Sequence, residues 1–177
     1  MFAAFGPISP TRLTGLLSYT VSVLACAANW VRRRKSGLPQ RSFAMLMLVQ
    51  IVLLLDMAFE WRWVLHDFWI REAMSHGVYD LRRTPQLLSL IVLGLILVFS
   101  VISIVHRFRH SAGEAIAVTS TTLSIGLWCC ECLSYHNVDR VFYRMVGPVM
   151  MVSLLWIGFT LLTCFGIWLD NRSRPST

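Results

Sequence analysis

Three acidic residues stand in stretches where the chain is otherwise apolar. Asp56 and Glu60 lie in one such run and Glu131 in another. A charged side chain at mid-bilayer costs about 2.5–3.5 kcal/mol on insertion scales, so acids in these places need a reason. Asp56 and Glu60 are four residues apart, which on a helix puts them on one face. Two ionised carboxylates there would repel, and the pattern calls for a proton on one of them or a cation between them. At 1.5 Å per residue, Glu60 lies about 26 Å from Phe43 and Glu131 about 24 Å from Ala115. The two acids thus reach nearly the same depth if their runs point the same way, with Asp56 one turn deeper.

The residues that follow each run complete a candidate polar cluster. Arg62 and His66 come after the first two acids; Tyr135, His136, Asp139, Arg140 and Arg144 come after Glu131. Such a cluster could do three kinds of work. Glu60 or Glu131 paired with Arg62, Arg140 or Arg144 would lock helix ends together, giving specificity rather than activity. A carboxyl group raised in pKa by burial could exchange protons or bind a cation, with His66 and His136 as gates. Glu60, His66, Glu131 and His136 offer nitrogen and oxygen ligands of the kind that suit Zn, Fe or Mn.

The metal signal is weak, because no HExxH or ExxH spacing is present, and Glu131 and His136 are five apart and turn away from one helical face. His66 and His136 would be the pair for a bis-histidine haem. Cys129, Cys130 and Cys132, together with the methionines, read as apolar filling rather than a copper or redox motif. No nucleophile sits in a recognisable turn for Ser/His/Asp hydrolysis. No cofactor is expected from these signals.

The elements that must carry these residues follow from composition. The chain has 177 residues, of which 56% are apolar and 14% charged, with a mean hydropathy of +0.62. Soluble domains have about 45–50% apolar and about 25% charged residues, so a soluble enzyme, a disordered tail and a disulfide-knotted secreted domain are excluded. The five cysteines are an odd number and lie in or near apolar runs, which does not suit a disulfide framework.

Five segments, at 13–31, 43–65, 86–105, 113–135 and 148–169, are each long enough to cross a hydrocarbon layer about 30 Å thick. Helices are the form in which such a run satisfies its own backbone. The fold expected is therefore an all-α polytopic transmembrane bundle of five helices, or a four-helix core plus an N-terminal helix, as a single integral membrane domain over 1–177. Ser111 to Glu114 reads as a capping box opening the fourth segment, and prolines 85 and 148 suit the first turns of the third and fifth. The stretch from His66 to Thr84 is expected to place a short helix on the surface. The fourth segment, rich in Ser, Thr, Gly and Ala, belongs at the centre with the second against it. The aliphatic third segment belongs toward lipid.

Net charge is +7. The arginines border apolar runs, where they fix orientation and meet anionic headgroups, so the expected partner is a lipid bilayer and not nucleic acid. The cluster Arg32-Arg33-Arg34-Lys35 after the first segment favours a retained helix over a signal peptide, with that end in the cytoplasm. The C-terminus is then cytoplasmic, and the N-terminus lies outside if there are five helices. The reading of function is an accessory or interaction subunit, docking to itself or to another membrane protein through the fourth and fifth segments, where Gly158 and Gly166 are two turns apart. The alternatives are a proton- or cation-coupled transporter or channel using the carboxylates, and a metal- or haem-dependent membrane enzyme.

Overall fold

The computed structural model describes residues 9–77 and 81–173, with only the backbone of Ala73. It is an all-α bundle. Five helices are long and apolar enough to cross a membrane: α1 (Pro10–Lys35), α2 (Arg41–Phe59), α4 (Arg83–Arg107), α5 (Ala112–Leu133) and α7 (Met151–Ser173). Two shorter helices, α3 (Trp61–Ser75) and α6 (His136–Phe142), and a two-stranded hairpin, β1 (Met145–Val146) with β2 (Val149–Met150), lie between them. Helix α1 packs on both α2 and α7, and its Tyr19 and Cys26 are buried in the core, so it is a full member of the bundle.

Two boundaries differ from the sequence expectation for a physical reason. The second segment is not one helix over 43–65. It stops at Phe59, and Glu60 takes the left-handed conformation (φ 57°, ψ 35°) that turns the chain into α3. No glycine or proline marks the place. The turn lets the Asp56 carboxylate accept the backbone N–H of Arg62 at 2.9 Å, which supplies a partner to an otherwise orphaned donor of the new helix. Likewise α5 stops at Leu133, and Ser134 is left-handed (φ 45°). Non-glycine residues adopt this conformation at a cost of about 1–2 kcal/mol. Both examples end helices that carry a buried acid.

The other corrections are smaller. Pro148 does not open the fifth long helix. It sits in the two-residue hairpin turn beside Gly147, whose φ of 65° the turn requires, and α7 begins at Met151. The Ser111 side chain makes no capping hydrogen bond to α5, because its hydroxyl donates to Asp170 and Glu114 faces Arg33. The surface helix expected after His66 begins earlier, at Trp61.

Helix α5 is central, packing most extensively on α7 and also on α4, α2 and α3. The α5–α7 approach depends on two glycines. A Cβ on Gly113 would meet the backbone of Asp170 and Gly166, and one on Gly166 would meet the backbone of Gly113 and Ala117. Backbone atoms cannot move aside as a side-chain tip can, so this contact is available to small residues alone. Helix α4 has no buried residue and leans on α5 with Leu97 over Gly126. The aliphatic face it presents outward is what a lipid-facing helix requires. Two apolar clusters fill the bundle, one around Tyr19, Met57, Leu127 and Trp156, the other around Cys26, Phe43, Ala117 and Ile167.

Gly113→Ala and Gly166→Ala should each destabilise the bundle by about 1–3 kcal/mol, the usual cost of overpacking. Gly158 has open space around it, so Gly158→Ala should be neutral or stabilise by up to about 1 kcal/mol through helix propensity. Thermal unfolding of the three variants in detergent checks the contrast.

Candidate functional site: two buried arginine clusters

Arg62 is the second residue of α3 and is turned inward by the break at Glu60. Its Nε lies 2.8 Å from Asp56 Oδ2, and its Nη1 lies 2.8 Å from Glu131 Oε2. One guanidinium thus joins α2 to α5 while rooted in α3. Its Nη2 donates to Met57 Sδ at 3.5 Å, and the group lies 5.7 Å from the centroid of the Trp156 ring on α7. Arg62, Asp56 and Glu131 are 5%, 2% and 3% exposed. Burial by itself would lower the pKa of Arg62, but the Glu131 and Asp56 charges outweigh it and hold the cation above the ordinary guanidinium value. Asp56 also places negative charge at the start of α3, where the helix dipole favours it.

Asp56, expected one turn deeper than Glu131, instead meets it on one guanidinium. Glu60 does not join them. The helix on which it would share a face with Asp56 ends one residue earlier, and its half-exposed carboxylate pairs instead with Arg12 of α1 at 3.2 Å. A cavity of about 170 Å³ bordered by Arg12, Glu60, Arg62, Glu131 and Trp156 opens beside the cluster.

The remaining predicted residues lie at the same end but in other company. His66 on α3 meets the Trp63 ring edge-on, with centroids 5.9 Å apart. His66, His136 and Asp139 border a separate pocket of about 230 Å³. Asp139 accepts from the Ser134 hydroxyl at 2.7 Å, and Arg140 Nη2 lies 3.1 Å from His136 Nε2. Tyr135 precedes α6, and its hydroxyl lies 3.5 Å from Asn137 Nδ2. Arg144 is exposed, and its carbonyl accepts from the Met151 N–H. Arg62, not Arg140 or Arg144, is thus the partner of Glu131. Glu60, His66, Glu131 and His136 are not gathered into one donor set. Among the described residues, no group of three or more His, Cys, Asp or Glu side chains stands together to hold a metal ion.

A second cluster, absent from the sequence reading, lies at the opposite end. Arg33 of α1 reaches Asp170 of α7 at 2.6 Å and Glu114 of α5 at 3.3 Å. Its Nη1 donates to the Pro39 carbonyl at 2.7 Å, and Ser111 donates to Asp170 at 3.0 Å. Arg33 stacks 4.3 Å from the Phe43 ring centroid. Arg33 and Asp170 are each 2% exposed. The signal was available. The last turn of the first segment, the first turn of the fourth and the last turn of the fifth must share one end of an alternating bundle.

Between the clusters runs a buried polar row. Ser22 bonds Thr160 at 3.1 Å, Thr160 bonds the Ser18 carbonyl at 3.1 Å, and Gln50 bonds Thr121 at 3.1 Å. Glu114 and Glu131 lie 17 residues apart on α5, so the two clusters are separated by about 26 Å along the helix. That is close to the thickness of a hydrocarbon core.

Comparison with family models, with curated proteins and with solved structures gives no match.

Arg62→Met leaves two buried carboxylates facing each other and should cost about 3–5 kcal/mol of stability. Arg62→Lys keeps the charge but not the two-sided fork and should fall between. Adding Asp56→Asn and Glu131→Gln to Arg62→Met should restore part of the loss. Denaturant unfolding in detergent measures the cycle, and simple additivity would show that the three groups do not act as a unit.

Proposed function

We propose that this chain is an integral membrane protein acting as a non-catalytic accessory or interaction subunit. One observation carries the reading. All four carboxylates on the five long helices lie against an arginine: Asp56 and Glu131 against Arg62, Glu114 and Asp170 against Arg33. Acids committed in this way hold helices in place and are poorly suited to carrying a proton or cation. The orientation that fits has the Arg33 end in the cytoplasm, where Arg32, Arg34, Lys35 and Arg41 also gather, following the bias of positive charge toward that side.

The surface best suited to association is on α4 and α5. Gly166, one of the two glycines expected to dock a partner, is taken up by the α5 backbone within the chain. A crevice of about 520 Å³ between α4 and α5 remains open, bordered by Ile96, Phe99, Ser100, Ser103, Ile104 and Thr122. Small hydroxylated residues in an apolar groove favour the close approach of another membrane helix. The occupant fitting this surface is an apolar helix of a second copy or of another membrane subunit. Native electrophoresis of protein extracted from its own membrane in mild detergent should give a species larger than one 20.2 kDa chain. Ser103→Phe, which fills the crevice, should shift that species to a single chain without changing thermal unfolding. A single chain from the outset would reject the reading.

A second reading, a proton- or cation-coupled transporter, draws on the polar row of Ser18, Ser22, Gln50, Thr121 and Thr160 between the two clusters. Proteoliposome flux that is unchanged by Asp56→Asn and Glu131→Gln would remove it.

A further inference from the structure

A basic pocket lies at the Arg62 end of the molecule, outside the buried cluster. Its volume is about 490 Å³, and Arg82, Arg83, Gln86, His136, Asn137 and Arg140 stand around it. That volume is in the range of small-molecule sites, about 300–1,000 Å³. Three arginines and a histidine face one space, and among the described residues no carboxylate borders it.

The walls are fixed relative to each other. Gln86, in the first turn of α4, donates to the Leu133 and Ser134 carbonyls at 3.1 and 3.3 Å. That ties the start of α4 to the end of α5. Ser134, left-handed at that end, then directs the chain into α6, which supplies His136 and Arg140. Asp139 of α6 accepts from the Ser134 hydroxyl at 2.7 Å and borders the neighbouring pocket. Arg82 is half-buried and has a partner within the protein, whereas Arg83 and Arg140 are exposed. Arg140 shares only its Nη2 with His136 at 3.1 Å, which leaves further N–H donors on both guanidiniums for a ligand. Guanidinium groups present paired N–H donors that match phosphate oxygens, and charge-assisted bonds of this kind are the strong ones.

We propose that this pocket binds a phosphate group, held by the Arg83 and Arg140 guanidiniums with His136 and Asn137 beside them. Two sources share that chemistry. A phospholipid would place its headgroup here and lay its chains along α4, whose outward residues Leu88, Ile91, Leu95 and Phe99 are exposed. A free phosphate or phosphate ester would enter from water. The neighbouring α3 exposes Trp61, Phe68 and Trp69, side chains that settle at the headgroup level of a bilayer, so the lipid source fits the surroundings better.

The experiment is native mass spectrometry of the full-length protein in detergent, titrated with dioctanoyl phosphatidic acid, dioctanoylglycerol and inorganic phosphate. Bound ligand is read on the intact ion, so the result is independent of whether the chain associates with a partner. The phosphatidic acid adduct should form at least tenfold more readily than that of the diacylglycerol, which has the same chains without the phosphate. Arg83→Gln and Arg140→Gln should each weaken it about tenfold, since a bond to a charged group contributes roughly one order of magnitude in affinity. Both side chains are exposed, and an unchanged unfolding temperature confirms that the variants fold. Binding of inorganic phosphate with the same dependence on the two arginines supports the site and assigns it to a soluble ligand. Equal binding of the two lipids, or phosphatidic acid binding untouched in the double variant, overturns the proposal.

Discussion

A buried guanidinium cannot be left alone in an apolar interior, and this bundle meets that constraint twice. Arg62 and Arg33 stand at opposite ends, and each gathers two carboxylates from other helices. Such trios add little net stability over a well-packed apolar core, because desolvation offsets most of the attraction. Their effect is on arrangement. Arg62 fixes α3 against α2 and α5, and Arg33 fixes α1 against α5 and α7. Helix α5 supplies an acid to both, so its register is set at each end. The close backbone approach of Gly113 to Gly166 then fixes its separation from α7.

The fold was largely legible because apolar runs of about 20 residues leave the chain few options. The outward place of α4 followed from its uniform Leu, Ile and Val content, and the central place of α5 from its small and hydroxylated residues. What could not be read was the break at Glu60. Trp-Arg-Trp continues the apolar run without a glycine or proline, and the left-handed turn is held by tertiary contacts that a linear pattern does not express. Missing it kept Glu60 on the face of Asp56. The depth count expects Glu60 beside Glu131 and Asp56 one turn deeper, whereas Asp56 is the acid that meets Glu131 on the Arg62 guanidinium, because the turn at Glu60 removes that residue from the helix face and brings Arg62 inward. The Arg33 cluster was missed for a different reason. Each member had a sufficient local explanation: Arg33 as part of a positive flank, Glu114 as a cap, Asp170 as the end of a span.

The polar side chains between the trios are mostly hydroxyls bonded to a neighbouring helix or to their own. Thr122 and Ser124 return bonds to Val118 and Ser120 carbonyls within α5. Ser120 crosses to the Phe159 carbonyl of α7 at 2.6 Å. Hydrogen bonds of this type between membrane helices contribute about 0.6 kcal/mol on average. They contribute specificity to helix pairing.

The sequence separation of the Arg33 trio bears on how the bundle closes. Arg33 precedes both of its acids in the chain, and Asp170, the nearer of the two in space, follows it by 137 residues. Glu114 appears between them. The trio therefore joins chain segments far apart in sequence, and an uncompensated guanidinium resists entry into an apolar interior. Full compensation of Arg33 requires α5 and α7 to be present as well as α1.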